Sequence, residues 1–332
     1  MVERQVLDGW VGVLACPNDG APLRPEGDGL SCPHGHAFPV SGGIPILFPV
    51  GEPVTHLSAL RALDPDERSL DLALDDGETP PATEVHPEVR DMQGATSGTM
   101  FHAARHRFTT YPIPEIRLPA ASGEARLLDL GCGWGRWSIA AARKGYRVIG
   151  VDHYFPRLVL ARRACRQLGV AADFVCCDVR RLPFAAGQFD AVFSYSVVQH
   201  FSKPEARRIL AEAGRVLRPG GSALVQMAHR IGVRSLYHQL RLALRTPRQG
   251  DVRYWSAREM TAAFEAAVGP SRLSIDGFFG LGLQAANAAS FLPHHRWIVN
   301  LSEMLRRFPA LRLMADSLYV EATRQPGGAQ RA

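Results

Sequence analysis

Residues 125–135 read Ala-Arg-Leu-Leu-Asp129-Leu-Gly131-Cys-Gly133-Trp-Gly135: an apolar run that closes on an acid, then three glycines spaced one residue apart. A strand that breaks into glycines ahead of a helical run lets a ligand approach the backbone closely. The spacing is G-x-G-x-G with an acid two residues upstream. It is neither the G-x-G-x-x-G that seats a pyrophosphate nor the G-x-x-x-x-G-K-[ST] of a phosphate loop. Outward from the loop the pattern alternates: SIAAARKG is helical, YRVIGVD extended, RLVLARRACRQLG helical, and DFVCCD and FDAVFSYS extended. That alternation predicts a parallel, doubly wound α/β sheet. Asp152 and Asp178 end the second and third strands. A carboxylate at the first position can accept hydrogen bonds from both hydroxyls of a ribose, and one at the second can receive the exocyclic amine of adenine.

Further on, Ser202 with Glu205 (SKPE) predicts a capping box opening a helix through Val216, LRPGG ends it, and SALVQMAH returns to a strand. Ser256 with Glu259 (SARE) opens another helix, and SRLSIDGFFG and DSLYVEATR are two late strands. The glycine loop and the two acids resemble those of the class I S-adenosylmethionine-dependent methyltransferases. FDAVFSYSVVQHF with VLRPGG is similar to the subgroup that contains the quinone-biosynthesis methylases, and the resemblance spans residues 127–226. It implies a Rossmann-like sheet of seven strands with the last antiparallel, S-adenosyl-L-methionine as cofactor, and methyl transfer as the reaction. It further implies that Gly131 and Gly133 pass beneath the methionine portion, with Gly135 completing the loop and Asp129 supporting it. Asp152 would hold the ribose, beside His153, which stands where the family usually has an aliphatic residue packed on adenine. Asp178 and the Val179 amide would read the adenine edge, and Ser194 would offer its backbone carbonyl to the cofactor's amino group.

A methyl sulfonium is already electrophilic, so such a protein must chiefly align the nucleophile and exclude water. His200 and Gln199 follow the fourth strand, next to where the methyl would lie. An imidazole there either removes a hydroxyl proton from the acceptor or braces the next helix. Tyr195 and His229, at neighbouring strand ends, either line the acceptor pocket or pack in its wall.

The chain has 332 residues, 46% hydrophobic and 21% charged. This composition excludes wholesale disorder and a disulfide scaffold, and the length allows one large α/β domain with a satellite. The net charge is +6, and all basic residues except Lys144 and Lys203 are arginines. The first fifty residues, rich in cysteine, proline and glycine, predict a small metal-stapled β-ribbon over 1–50. Cys16-Pro-Asn-Asp19 and Cys32-Pro-His-Gly-His36 resemble the two knuckles of a zinc ribbon. The candidate ligands are Cys16, Asp19, Cys32 and either His36 or the nearer His34, with Asp19 standing where a full site has cysteine. Acidic residues from Asp64 to Asp91 make 51–99 an acidic linker, partly disordered. Residues 100–324 form the methyltransferase domain, with helical cap insertions at about 230–250 and 283–308, and 325–332 a disordered tail. The amino terminus shows no signal-peptide pattern, and Phe278 to Leu292 is too short and too interrupted to span a bilayer, so a cytoplasmic protein is expected.

Acceptor choice in this class usually lies in such insertions. In the helix expected from Val233 to Arg245, Val233, Leu236, Leu240 and Leu244 share one face, and Arg234, His238, Arg241 and Arg245 another. The charged face is either simply solvated or, through Arg234, Arg241 and Arg245, a contact for anionic lipid or RNA. The expected activity is methyl transfer to oxygen or carbon of a small-molecule or lipid-linked acceptor. The alternatives are a ribosomal or transfer RNA base methylase that uses the ribbon to bind RNA, and a non-catalytic cofactor-binding partner module.

Overall fold

A computed structural model describes residues 12–51, 57–75, 84–96, 99–242, 251–279, 284 and 293–326. Three short strands, β1 (Arg24–Glu26), β2 (Gly29–Ser31) and β3 (Ala37–Ser41), form an antiparallel meander that turns into β4 (Ile44–Leu47). Four helices follow: α1 (Leu57–Leu63), α2 (Pro65–Leu72), α3 (Pro87–Thr96) and α4 (Thr99–Ala104). The alternating part begins with β5 (Arg126–Leu130), α5 (Arg136–Ala142), β6 (Arg147–Asp152), α6 (Phe155–Gln167) and β7 (Asp173–Cys177). It continues with β8 (Phe189–Tyr195), α7 (Lys203–Val216) and β9 (Leu217–Ala228). The chain closes with α8 (Val233–Leu242), α9 (Ala257–Ala267), β10 (Ser271–Gly277), α10 (Pro293–Leu305) and β11 (Ser317–Thr323). Both capping boxes form, at Ser202 with Glu205 and at Ser256 with Glu259.

The strand order is β1-β2-β3-β4-β7-β6-β5-β8-β9-β11-β10. From β7 to β10 this is the doubly wound arrangement expected, with β11, the last strand of the chain, antiparallel to both β9 and β10. The sheet does not stop at seven strands. β4 lies parallel to β7, with Ile46 opposite Cys176 and Leu47 opposite Cys177, so the ribbon read as a satellite over 1–50 is continuous with the sheet. All four residues of β4 are buried, as a parallel strand covered on both faces requires. Leu14 bridges to Phe184, and the Ala15 N–H donates to the Pro183 carbonyl at 2.9 Å, so the first knuckle also grips the loop after β7.

The segment read as an acidic linker over 51–99 is helical where it is described, and the acids themselves explain why. Asp64 is the N-cap of α2, accepting from the amides of Asp66 at 2.9 Å and Glu67 at 3.3 Å, and Pro65 occupies the first helical position. Two acids are then buried as ion-pair partners. Asp71 accepts a bidentate pair from Arg61, and Asp75 accepts from Arg162 at 3.0 Å and from Arg166 on α6. Apolar residues of the same segment and of α4, Ala62, Val85, Val89 and Phe101, share a core with α6.

On one face of the sheet, α7 and α9 share a core with the ribbon residues Leu14, Leu23, Leu30 and Phe38. On the other face lie α6 with the N-terminal helices, and α5 with Ile116 and Leu118. Helix α8 departs from expectation. Its apolar residues Val233, Leu236, Tyr237 and Leu240 are exposed, and its buried residue is Ser235, whose amide donates to Asp316 Oδ1 at 2.9 Å. Arg234 belongs to no open charged face, since it donates to His238 and to the Phe279 carbonyl. That polar anchor, not hydrophobic burial, sets the rotation of the helix. Arg245 and the neighbouring 243–250, residues 283 and 285–292 of the 283–308 insertion, and the tail beyond 326 lie outside the described residues. None of the described helices is long and apolar enough to cross a membrane.

Helices α7 and α9 meet backbone to backbone at Gly214, where a Cβ would lie 2.1 Å from the Ala267 carbonyl oxygen. Gly214→Ala is expected to force the helices apart and to cost about 1–3 kcal/mol, read as a lower urea midpoint at unchanged slope.

Candidate functional site

The site grows from the end of β5. Gly131 turns the chain left-handed (φ 69°), and a Cβ there would sit 2.4 Å from Val197 Cγ2. The loop is then tied to β6 at two points. The Cys132 amide donates to the Val151 carbonyl at 2.9 Å, and the Gly133 amide to Asp152 Oδ2 at 3.1 Å. Gly133 is also left-handed (φ 57°), and the space its side chain would fill is open for 4 Å. Gly135 caps α5 and packs on Ala161, outside the cavity.

A cavity of about 480 Å³ opens at the carboxyl ends of the parallel strands, within the range of small-molecule sites and at the place where ligands bind doubly wound sheets. Gly131, Gly133, Asp152, His153, Asp178, Val179, Tyr195 and His200 all line it, so eight of the sequence-derived residues converge. Asp152 is 4% exposed; its Oδ1 accepts from the Tyr154 amide at 3.0 Å and lies 3.4 Å from His153 Nδ1. Each of its oxygens keeps a lone pair for a further donor. The Asp178 carboxylate is held by Arg180, which chelates it through Nε and Nη2 and donates its amide to Oδ1 at 2.9 Å. Arg180 is in turn paired with Glu205.

Besides Gly135, four expected residues stand elsewhere. Asp129 is buried behind the loop, where its Oδ2 accepts from the Ser138 hydroxyl at 2.7 Å. Ser194 is buried with its hydroxyl on the Leu130 carbonyl, away from the cavity lining. Gln199 is not a pocket residue. It is fully buried, donating to Ser196 Oγ and accepting from the Ala228 amide, and so ties β9 to the turn after β8. His229 is not one either: it is buried with Nδ1 3.1 Å from the Ala315 carbonyl, and burial lowers its pKa. The cause is common to both, because a polar side chain buried just after a strand must first satisfy the backbone around it.

The cavity also holds residues that the sequence did not advertise. Met92 and Gln93 come from α3, inside the segment read as linker, and Trp134 Nε1 donates to Gln93 Oε1 at 2.9 Å. The spacing of Val85, Val89 and Met92 is a helical stripe that could have announced them. Arg136 is half-buried over the rings of Phe101, Trp137 and Tyr195, and Tyr195 stacks on Trp137 while its hydroxyl donates to Asp276 at 2.8 Å. Ser196 is held at φ 61° by Gln226, which accepts its amide, a strained backbone of the kind that clusters at ligand sites. No residue type signals that in advance. Away from this cavity, Cys16, Asp19, Cys32 and His36 come together at the ribbon tip.

Residues 127–221 match a protein family described as a methyltransferase domain. A segment of 108 residues is 39% identical to the biotin biosynthesis bifunctional protein BioHC of Cellvibrio japonicus, covering 32% of this chain and 20% of that protein. Over 116 residues the chain is 35% identical to a ubiquinone biosynthesis O-methyltransferase of Cereibacter sphaeroides, covering 35% of this chain and 46% of the relative. Over 99 residues it is 35% identical to the probable tRNA methyltransferase 9B of Mus musculus, covering 29% and 20%. The chain thus spans between a fifth and about half the length of these relatives. The resemblance seen in the glycine loop and FDAVFSYSVVQHF is borne out over this segment: residues 127–221 are a methyltransferase domain of the class I type, on a Rossmann-like sheet.

Burial pushes the Asp129 carboxyl up to about 7, against the pull of Ser138 and Arg136. A carboxyl that keeps its proton in the folded protein and loses it near pH 4 when unfolded makes stability fall as pH rises between those values. The stability of the wild type relative to Asp129→Asn is therefore expected to decline from pH 4 to about 7 and to level off above it, in urea titrations across that range.

Proposed function

We propose that the protein is an S-adenosylmethionine-dependent methyltransferase acting on oxygen or carbon of a small-molecule or lipid-linked acceptor. The observation that carries this reading is the Gly133–Asp152 hydrogen bond at the mouth of a cavity that also holds Asp178. It brings a carboxylate with spare lone pairs beside a glycine whose missing side chain leaves open space, a cradle that suits a nucleoside with an amino-acid tail. Asp152 would take the ribose hydroxyls. Val179 and Asp178 would take the adenine edge, and the Gly131–Gly133 backbone the methionine portion. When bound, the cofactor supplies a methyl group already activated by its sulfonium.

The protein's own work is then positioning and drying. Trp134, Trp137 and Tyr195 wall the cavity with apolar surface, and Gln93 fixes Trp134. His200 is exposed, on the 3-10 turn Val198–His200, and lines the same cavity. For a hydroxyl acceptor its imidazole accepts the proton as the oxygen attacks. The lipid-linked branch rests on α8, whose exposed Val233, Leu236 and Leu240 lie beside the exposed Arg230 and Arg241, a surface suited to an anionic bilayer.

Titration calorimetry with S-adenosylhomocysteine is expected to show binding that Asp152→Ala weakens by about tenfold or more. Undiminished binding in that variant sinks the assignment. His200→Ala is expected to lower kcat by about 10²–10⁴-fold while leaving that affinity unchanged, and unchanged turnover makes His200 a brace. Tritiated methyl transfer into fractionated extract is expected to label small molecules or lipid; label entering RNA would move the assignment to the class of the tRNA relative. Anionic vesicles are expected to sediment the protein at low salt, and Leu236→Asp with Leu240→Asp to release it. Retention of that variant overturns the α8 contact.

A further inference from the structure

The ribbon tip gathers two thiols, an imidazole and a carboxylate from two turns. The first knuckle is closed by the Gly20 amide on the Cys16 carbonyl and by the Cys16 amide on the Ala21 carbonyl, both at 2.8 Å. In the second, the Cys32 amide donates to the His36 carbonyl and the Gly35 amide to the Cys32 carbonyl, both at 3.0 Å, with Gly35 left-handed at φ 86°. The four donor atoms of Cys16, Asp19, Cys32 and His36 all lie within 4.8 Å of one another. His36 Nδ1 is 3.5 Å from Cys16 Sγ, 3.3 Å from Cys32 Sγ and 3.1 Å from Asp19 Oδ2, and Cys32 Sγ is 3.6 Å from the same oxygen.

These four separations match edges of a coordination tetrahedron, and the other two lie within 4.8 Å. Metal–donor bonds of about 2.0–2.3 Å at the tetrahedral angle separate donors by about 3.3–3.8 Å, and the observed edges agree to within a few tenths of an ångström. A hydrogen-bonded cluster has no reason to make all these separations alike, because His36 Nδ1 cannot bond three partners at once in its ring plane. The geometry also decides between the two histidines. His34 Nδ1 reaches Asp19 Oδ2 at 2.8 Å and is largely exposed, and it has no hydrogen bond to either sulfur. It is placed to orient the carboxylate from outside, while Asp19 Oδ1 accepts the Ala21 amide at 2.8 Å.

We propose that Cys16, Asp19, Cys32 and His36 bind one zinc ion in a closed, four-coordinate site, and that the ion holds the ribbon against the edge of the methyltransferase sheet. Two thiolates, one imidazole and one carboxylate in tetrahedral array suit zinc among the common divalent ions, and four protein ligands leave no position for a substrate, which makes the role structural. The coupling follows from the connections already described. Val13 to Ala15, just before Cys16, pairs with Pro183 to Ala185, and β4 pairs with Cys176 and Cys177, so the knuckles clamp both sides of the Asp178 turn. The coupling to cofactor affinity rests on the function proposed above; the metal site does not.

The whole chain, expressed with zinc, is expected to carry one zinc per protein by elemental analysis. Replacement by cobalt is expected to give the intense visible bands of tetrahedral Co(II) with thiolate charge transfer. Cys32→Ser and His36→Ala are expected to lose the metal, His34→Ala to keep it, and Asp19→Cys to keep it and resist chelators more strongly. Removing zinc is expected to lower the melting temperature by about 5 °C or more and to weaken S-adenosylhomocysteine binding severalfold. Substoichiometric metal, an octahedral cobalt spectrum, or a Cys16–Cys32 disulfide in the purified protein would overturn the site. Metal loss that leaves melting unchanged would overturn its clamping role. Should the zinc-loaded protein bind no S-adenosylhomocysteine, the cofactor assignment fails, and the metal site is still judged by metal content and the cobalt spectrum.

Discussion

At Gly131 the chain leaves the central strand by a left-handed turn that no side chain could share with Val197. The strand sits where the winding of the sheet reverses, with β6 and β7 laid down on one side and β8 and β9 on the other. A crevice opens there for topological reasons alone, but only a backbone free of side chains can fold into it. Because the turn is tight, Cys132 meets Val151 and Gly133 meets Asp152. Asp129, one residue pair upstream, is left buried under the loop with its proton pushed toward neutrality. The ring wall of Trp134, Trp137 and Tyr195 is then built on this corner.

That corner was legible because backbone conformation leaves its mark in residue type: three glycines after an apolar run, with acids at the next two strand ends. Gly131, Gly133, Asp152, His153, Asp178 and Val179 accordingly line one cavity, while Asp129, Gly135 and Ser194 lie outside its lining. Gln199 and His229 do not line it either: each follows its strand as expected, after β8 and after β9, but their partners were not visible. Each satisfies backbone groups of segments far away in sequence, Ala228 for one and Ala315 for the other. The acidic stretch was misread through composition. Asp64-Pro65-Asp66-Glu67 is a helix start, and its acids counted as linker charge when they were a cap and a first turn. For α8 the hydrophobic stripe was real, but the stripe is not what holds the helix in place.

The acidic segment also changes how the arginine excess is understood. Arg61, Arg162 and Arg166 are matched to Asp71 and Asp75, whose side chains are almost wholly buried. Removing one partner from such a pair leaves a buried charge uncompensated, which is costly. The Arg61–Asp71 pair thus ties α1 to α2, and the Asp75 pairs hold the end of α2 against α6. Charge on this chain is used to fix the position of helices as much as to attract a ligand.

The pairing of β4 with β7 has a consequence for the order in which the molecule can be made. Ile46 leaves the ribosome roughly 130 residues before its partner Cys176, on the order of ten seconds at ordinary elongation rates. Through that interval the edge of β4 that will pair with β7 stays open, although β3 and helices that help bury Ile44 and Ile46 have already emerged. Contacts so distant in sequence form slowly and only after much loop-closure entropy is lost. The ribbon is synthesised before its partner strand and completed late, and its final docking waits on β7.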